Sequence, residues 1–436
     1  MKIRKSLKIS ERFLGHKKFK KNFLVNRRFL VSRNAQKSNI FGTQKSQSDF
    51  SRFKEFSRKL KIATVIPPHA TTQSFVNLAK VYSHIVRKYN AEITVFLDKK
   101  LDLKFKNLRI KKVFGLDNNL GLYKILFFLG FPRFYYPKLV KELEGFDVIE
   151  SSTPEFYIYT LQSYHAAKKY NARLVLRTSQ TYYNFYLFPY TKFIALFFAR
   201  KACRFASSLC FTNPQSKEAY FKIGLLPKDM RNSKKIKVTG HAINTKIFIP
   251  MNLKKSKRKT ILLSVATLLK IKGHQNIIKA VKSLVDKNHK NIELWIVGKG
   301  DYEKGLKRLV KNLGISKYIK FLGPLSHEQL VKVYNKSNIF VLGNLHDVTP
   351  AVSEAMLCNL PVVSSKCGGA DFVIPSEKYG VITKYNDAED LAKGIEKLML
   401  DKKLQKRLIK NARKYILKNF SIEKVAERLY SAYTSN

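Results

Sequence analysis

Acidic residues are scarce in this chain. Thirty Asp and Glu stand against 84 Lys and Arg, a formal net charge of +54 over 436 residues. A field of that sign excludes cationic partners and favours anionic ones: nucleic acid, anionic lipid or phosphorylated substrates. Cysteine is equally sparse. Cys203, Cys210, Cys358 and Cys367 form no CxxC and match no zinc spacing, so a disulfide framework and a zinc ribbon are both excluded. Buried, reduced thiols of a cytoplasmic protein are expected instead. No apolar run reaches the roughly 18 residues a spanning helix needs, and residues 1–60 hold no signal-peptide core. No GxxxxGK[ST] occurs, which excludes a P-loop. No Asp-x-Asp pair occurs to hold a metal, and no cofactor is expected.

What is present is enough apolar material, 45% of residues, for more than one core. Residues 1–60 carry 18 Lys/Arg against 3 Asp/Glu and turn rich in Ser, Asn and Gln, the pattern of a basic disordered extension. Order is expected from residue 61. Apolar runs at 62–66, 92–97, 109–114, 147–150, 172–177 and 208–211 read as strands, with helical spacing between most of them. A charged stretch near 250–258 reads as a linker, after which the alternation restarts. Strands are expected at 261–266, 292–298, 318–323, 338–343, 360–365 and 380–384. Helices are expected near 274–288, 302–313, 327–335, 350–358 and 388–400. Such alternation implies parallel sheets with right-handed crossovers, hence two consecutive α/β domains.

Ligands of open parallel sheets bind beyond the carboxyl ends of the strands, so the loops after strands hold the candidates. Lys270 and Lys272 precede a Gly-His pair after the strand at 261–266. They suit a phosphate, although solvated surface lysines would look the same. Gly298 and Gly300 allow close backbone approach, although a plain strand-to-helix turn also explains them. In the segment 349–373, TPAVSEAMLCNLPVVSSKCGGADFV, Pro350 opens a helix. The amides of Thr349, Ala351 and Val352 with the helix dipole make an anion site. Glu354, one turn in, suits ribose hydroxyls, or it merely complements the dipole.

That segment resembles the nucleotide-sugar motif of the group 1, family 4 type retaining glycosyltransferases. LSVATLLKIKGHQNIIKAV, LWIVGKGDY, IKFLGPLSHEQL, GHAINTKIFIP and NFSIEKVAERLYSAY resemble further segments of the family in the same order. The resemblance implies the GT-B architecture, two Rossmann-like domains facing a cleft. These are an acceptor domain at 61–250, a donor domain at 258–415 and a terminal helix at 416–436 that returns to the first domain. It places Lys272 at the donor diphosphate, Glu354 at the ribose as the second glutamate of the Glu-x7-Glu motif, and Gly323 near the base. Three departures stand out. His346, beside Asp347, takes the place of the first motif glutamate. Thr267 takes that of the diphosphate arginine. PPHATTQSF replaces the Gly-rich loop after the first strand. His346 or Asp347 would meet the sugar, and Lys270 or Arg177 would replace the lost arginine.

The implied activity is transfer of a hexose from a nucleoside-diphosphate sugar to a hydroxyl of a glycan or lipid-linked acceptor, with retention and without a metal. His69, Thr71, Arg177 and Gln180 are the candidates on the acceptor side. The segments 122–140 and 181–204 mix aromatics with Lys and Arg, which suits a lipid headgroup zone as well as a core. The expected location is therefore cytoplasmic, at times peripheral on an anionic membrane face. A GT-B relative that binds sugar nucleotides without transfer is one alternative. A basic nucleic-acid-binding protein is another, against which stands the lack of an RRM, KH or homeodomain signature.

Overall fold

A computed structural model describes residues 58–66, 72–99, 105, 107–115, 135–152, 158–178, 189–345 and 350–435. The first half is a parallel sheet with interleaved helices. Its order along the chain is β1 (Leu60–Val65), α1 (Thr72–Lys88), β2 (Ala91–Asp98), β3 (Arg109–Val113), α2 (Leu139–Glu142), β4 (Val148–Ser152), α3 (Ile158–Lys169), β5 (Arg173–Thr178), α4 (Pro189–Phe205), β6 (Ser208–Phe211), α5 (Pro214–Lys222) and β7 (Ile236–Val238). The strands lie in the order β3-β2-β1-β4-β5-β6-β7, all pairings parallel.

The second half repeats the plan with β8 (Thr260–Val265), α6 (His274–Asp286), β9 (Ile292–Val297), α7 (Glu303–Asn312), β10 (Ile319–Gly323), α8 (His327–Lys336), β11 (Ile339–Leu342), α9 (Pro350–Leu357), β12 (Val362–Ser365), α10 (Ala370–Val373), β13 (Val381–Thr383) and α11 (Ala388–Leu400). Its order is β10-β9-β8-β11-β12-β13. Two long helices follow, α12 (Lys402–Phe420) and α13 (Ile422–Tyr433). The strands expected from apolar runs all fall on observed strands. β7 was not expected, because Ile236, Lys237 and Val238 are each only half-buried and make no apolar run.

Alternation along each strand splits each core in two. In the first sheet Ala63, Val65, Ile149, Leu174 and Leu176 pack under α3, α4 and α5. Ile62, Ile93, Val95, Val148 and Val175 pack under α1 and, from the far end of the chain, Val425, Ala426, Leu429 and Tyr433 of α13. α13 therefore belongs to the first core. The crossing point is Ser421, which caps α13 by accepting from the Lys424 amide at 3.3 Å. Ile243 N–H donates to the Phe420 carbonyl at 2.9 Å just before it. The boundary expected at 415/416 is thus moved to 421, since Ala412, Ile416 and Phe420 of α12 are still buried in the second core. All four cysteines are buried and none forms a disulfide, as expected. Among the described residues no helix is long and apolar enough to cross a membrane. Residues 1–57, and the parts of 122–140 and 181–204 before 135 and 189, lie outside the described residues.

Candidate donor site

Strand order reverses between β8 and β11, so a crevice opens at their carboxyl ends. Three loops meet there. After β8 the chain makes a 3-10 turn, Lys270–Lys272, and closes it at Gly273, whose φ of +67° is left-handed. A Cβ on Gly273 would lie 1.7 Å from the Gly343 carbonyl oxygen, so this contact between the β8 and β11 loops exists only because both residues lack side chains. Leu345 N–H donates to the Ile271 carbonyl at 3.0 Å and pins the same pair of loops. The loop after β9 is tied in by Leu268 N–H to Lys299 O at 3.0 Å and Tyr302 N–H to Leu268 O at 2.9 Å.

Of the two uses open to the glycines of this third loop, the geometry favours the plain strand-to-helix turn. Added Cβ atoms would sit 2.1 Å from the Ala266 oxygen at Gly298 and 2.5 Å from the Leu268 oxygen at Gly300. The space they leave is taken by the chain's own backbone rather than kept for a ligand. Gly323 has open space around its Cβ direction and is required by its φ of +68°. Lys272 is half-buried in the crevice wall, whereas Lys270 and Thr267 are exposed. His274, the first residue of α6, is fully buried, and among the described residues neither ring nitrogen has a hydrogen-bond partner. Burial, with Lys272 nearby, pushes its pKa down to about 4, so the ring is neutral at physiological pH. A lone histidine beside a lysine gave no sequence signal for this.

α9 starts at the same crest, and Ala351, Val352, Ser353 and Glu354 are all buried. Pro350 at its head is exposed. Glu354 Oε2 accepts from the Tyr334 hydroxyl at 2.9 Å, while among the described residues no donor reaches Oε1. Burial raises the Glu354 pKa to about 7, and the Tyr334 bond only partly offsets it. The folded state therefore holds this proton more tightly than the unfolded chain, whose ordinary value is 4.5. The resulting contribution to stability is full below that value and is lost as pH rises through about 7. A ligand hydroxyl donated to Oε1 favours the ionised form, so binding of such a ligand at neutral pH is expected to expel about half a proton. Calorimetry in buffers of different ionisation enthalpy reads this directly. The release should vanish at alkaline pH and in Glu354→Gln.

The first domain reaches the same place. Thr212 and Asn213 at the end of β6, and His241 after β7, line a gap with Pro350, Ser353 and Gly369 of the second domain. Asn213 caps α5 by accepting from the Ser216 amide at 2.8 Å. The Thr212 hydroxyl is buried and has no hydrogen-bond partner among the described residues. These residues were not anticipated, although Asn213-Pro214 after a strand is a recognisable helix start. Arg177, placed on the acceptor side by sequence, is occupied elsewhere. Its Nε donates to Glu150 at 2.8 Å inside the first domain. It is therefore no free substitute for the missing diphosphate arginine. His69, Thr71, Gln180, His346, Asp347 and Thr349 lie outside the described residues.

Residues 246–415 match the family described as Glycosyl transferases group 1. A D-inositol 3-phosphate glycosyltransferase of Corynebacterium jeikeium is 32% identical over 177 residues, 39% of this chain and 42% of the relative. An uncharacterized glycosyltransferase of Methanocaldococcus jannaschii is 32% identical over 172 residues, 39% of this chain and 44% of the relative. The match thus spans less than half the length of these curated relatives. The fold is similar along nearly the whole described chain. Anabaena HepE in complex with UDP aligns with a TM-score of 0.69 at 18% identity, over 86% of this chain and 100% of that one. Sucrose-phosphate synthase of Thermosynechococcus elongatus aligns with a TM-score of 0.67 at 18% identity, over 86% and 98%. The architecture is GT-B.

Proposed function

We propose, from the match of residues 246–415 to the group 1 glycosyl transferases, that the chain transfers a hexose from a nucleoside-diphosphate sugar to a hydroxyl of a glycan or lipid-linked acceptor, with retention. The observation that carries the donor side is the convergence of the Lys270–Lys272 turn and the head of α9 at the switch point of the second sheet, with Glu354 buried one turn in. Lys272 and the α9 amides take the diphosphate. Glu354 takes the ribose through Oε1. During transfer the acceptor hydroxyl oxygen bonds the anomeric carbon and its proton passes to the departing β-phosphate oxygen as the anomeric C–O bond breaks, while negative charge accumulates on the departing diphosphate. A cation and helix amides already aimed at that charge lower the barrier without reorganising. The acceptor enters from the first domain, past Thr212, Asn213 and His241. This electrostatic scheme uses no metal. His346 and Asp347 are assigned to the sugar hydroxyls by their place between β11 and α9.

Titration calorimetry with UDP, GDP and ADP tests the donor side. One nucleotide should bind in the micromolar range, and Glu354→Ala should weaken it by about 10- to 100-fold, the worth of a charge-assisted hydrogen bond. Binding of none of the three would overturn the reading. Thr267, an exposed hydroxyl where the family has a cation, favours one second reading, a protein that binds sugar nucleotides without transfer. Tight nucleotide binding with no release of nucleoside diphosphate in the presence of glycan or lipid-linked acceptors would select it.

A further inference from the structure

α4 buries Leu196, Ala199, Ala202 and Cys203 in the first core. Its other side is unusual. Phe197 is 47% exposed, Phe198 43% and Phe205 39%, and Lys201 and Arg204 are exposed between them. The positions 197, 201, 204 and 205 follow the i, i+4, i+7, i+8 spacing of one helix face. Lys201 Nζ lies over the Phe197 ring, 4.4 Å from its centroid. The helix contains no acidic residue. Large apolar side chains grouped on a surface mark an interaction site, and a phenyl ring has no polar handle that would reward exposure to water.

We infer that this face of α4 is a docking surface for an anionic lipid bilayer. Phenyl rings enter the acyl boundary while flanking Lys and Arg reach the headgroup phosphates, the arrangement of helices that lie in an interface. The occupant is chosen by the combination. A second basic face exists on α12, where Lys406, Lys410, Lys414 and Lys418 line a groove, but the apolar side chains beside them, Ile409 and Leu417, are aliphatic and no aromatic ring is among them. Charge alone would favour α12, whereas charge with aromatic rings favours α4. The inference is independent of the donor-site reading, since none of its residues lies at the crevice.

Flotation of the full chain with phosphatidylcholine vesicles, with and without phosphatidylglycerol, tests it. The protein should float with the anionic vesicles at low salt. Lys201→Gln with Arg204→Gln should lower the partition coefficient by about 25-fold, roughly fivefold per cation. Phe197→Ser with Phe198→Ser, which leaves net charge unchanged, should lower it by about tenfold or more. Lys406→Gln with Lys410→Gln removes as much charge and should change it by less than about twofold if α4 is the docking face. Arg200 is kept in every variant, because its Nε holds the Gly224 carbonyl at 2.6 Å. Equal loss in the α12 variant would overturn the proposal in favour of unlocalised charge. No flotation, together with self-association in sedimentation velocity that the phenylalanine variant abolishes, would make the face a contact between copies and overturn it as well.

Discussion

Replacing Glu150 by alanine is expected to destabilise the first domain by about 3–5 kcal/mol, the cost of breaking a buried ion pair from one side. Glu150 is 2% exposed in the middle of the first sheet. Its Oε1 accepts from Arg177 Nε at 2.8 Å and from the Tyr82 hydroxyl at 2.7 Å, and its Oε2 accepts from the Tyr433 hydroxyl. Burial, followed by the Glu150 charge, holds both phenols protonated far above their ordinary range, so both remain donors. Without the carboxylate a mostly buried guanidinium and two phenols lose their acceptor together. Tyr433 lies on α13, and Ser208 Oγ donates to the Ala432 carbonyl at 3.0 Å beside it. The loss should therefore also release the terminal helix. Denaturant unfolding gives the free energy, and hydrogen exchange of residues 422–433 reports the helix. Tyr433→Phe should cost about 1.5–3 kcal/mol, the lower range for one bond to a charged group, and should loosen α13. An alanine variant that unfolds within about 0.5 kcal/mol of the parent would show that the network is ornamental.

The second large effect is expected at Gly273. An alanine there must hold a φ of +67° and place its Cβ 1.7 Å from Gly343 O and 2.4 Å from Gly343 C. Both obstacles are backbone, so no rotamer change relieves them. Left-handed strain and overpacking each cost about 1–3 kcal/mol, which gives a loss of about 2–6 kcal/mol unless the loops part. If they part, Lys272 and the approach to α9 separate, and nucleotide affinity should fall by about tenfold or more. Gly314 is the internal control. It has a φ of +66° with nothing within 4 Å of its Cβ position. Gly314→Ala should therefore show only the conformational cost, about 1 kcal/mol, with nucleotide binding unchanged. Equal effects of the two substitutions on nucleotide binding would mean that the close approach of the two loops has no role in the site.

The chain's local pattern carried most of the architecture. Strands such as 261–266 and 338–343 are buried on both faces, so they read as short continuous apolar runs. Helices such as 274–286 are amphipathic and announce themselves by spacing. The exception, β7, is half-exposed at a sheet edge and has no such run. The placement of the loops that carry Lys272, Pro350 and Glu354 was also legible, because they follow strands in a parallel sheet, where position after a strand already implies position at the crevice. Contacts between distant residues were decided only by the tertiary structure. By sequence Gly298 and Gly300 fit either a ligand-facing loop or a plain strand-to-helix turn, and the Ala266 and Leu268 carbonyls that fill their space decide for the turn. Arg177 looked available until Glu150, on the neighbouring strand, was found holding it. Glu354 gained its raised pKa from burial beside Tyr334, and Thr212, Asn213 and His241 entered the site only through the meeting of two domains. Periodicity is a property of neighbours along the chain, so sequence by itself determined the elements, their order and the crests where ligands bind. Register, burial and pairing across tens or hundreds of residues are properties of neighbours in space, and they decided which of the candidate side chains are left with an unused donor or acceptor.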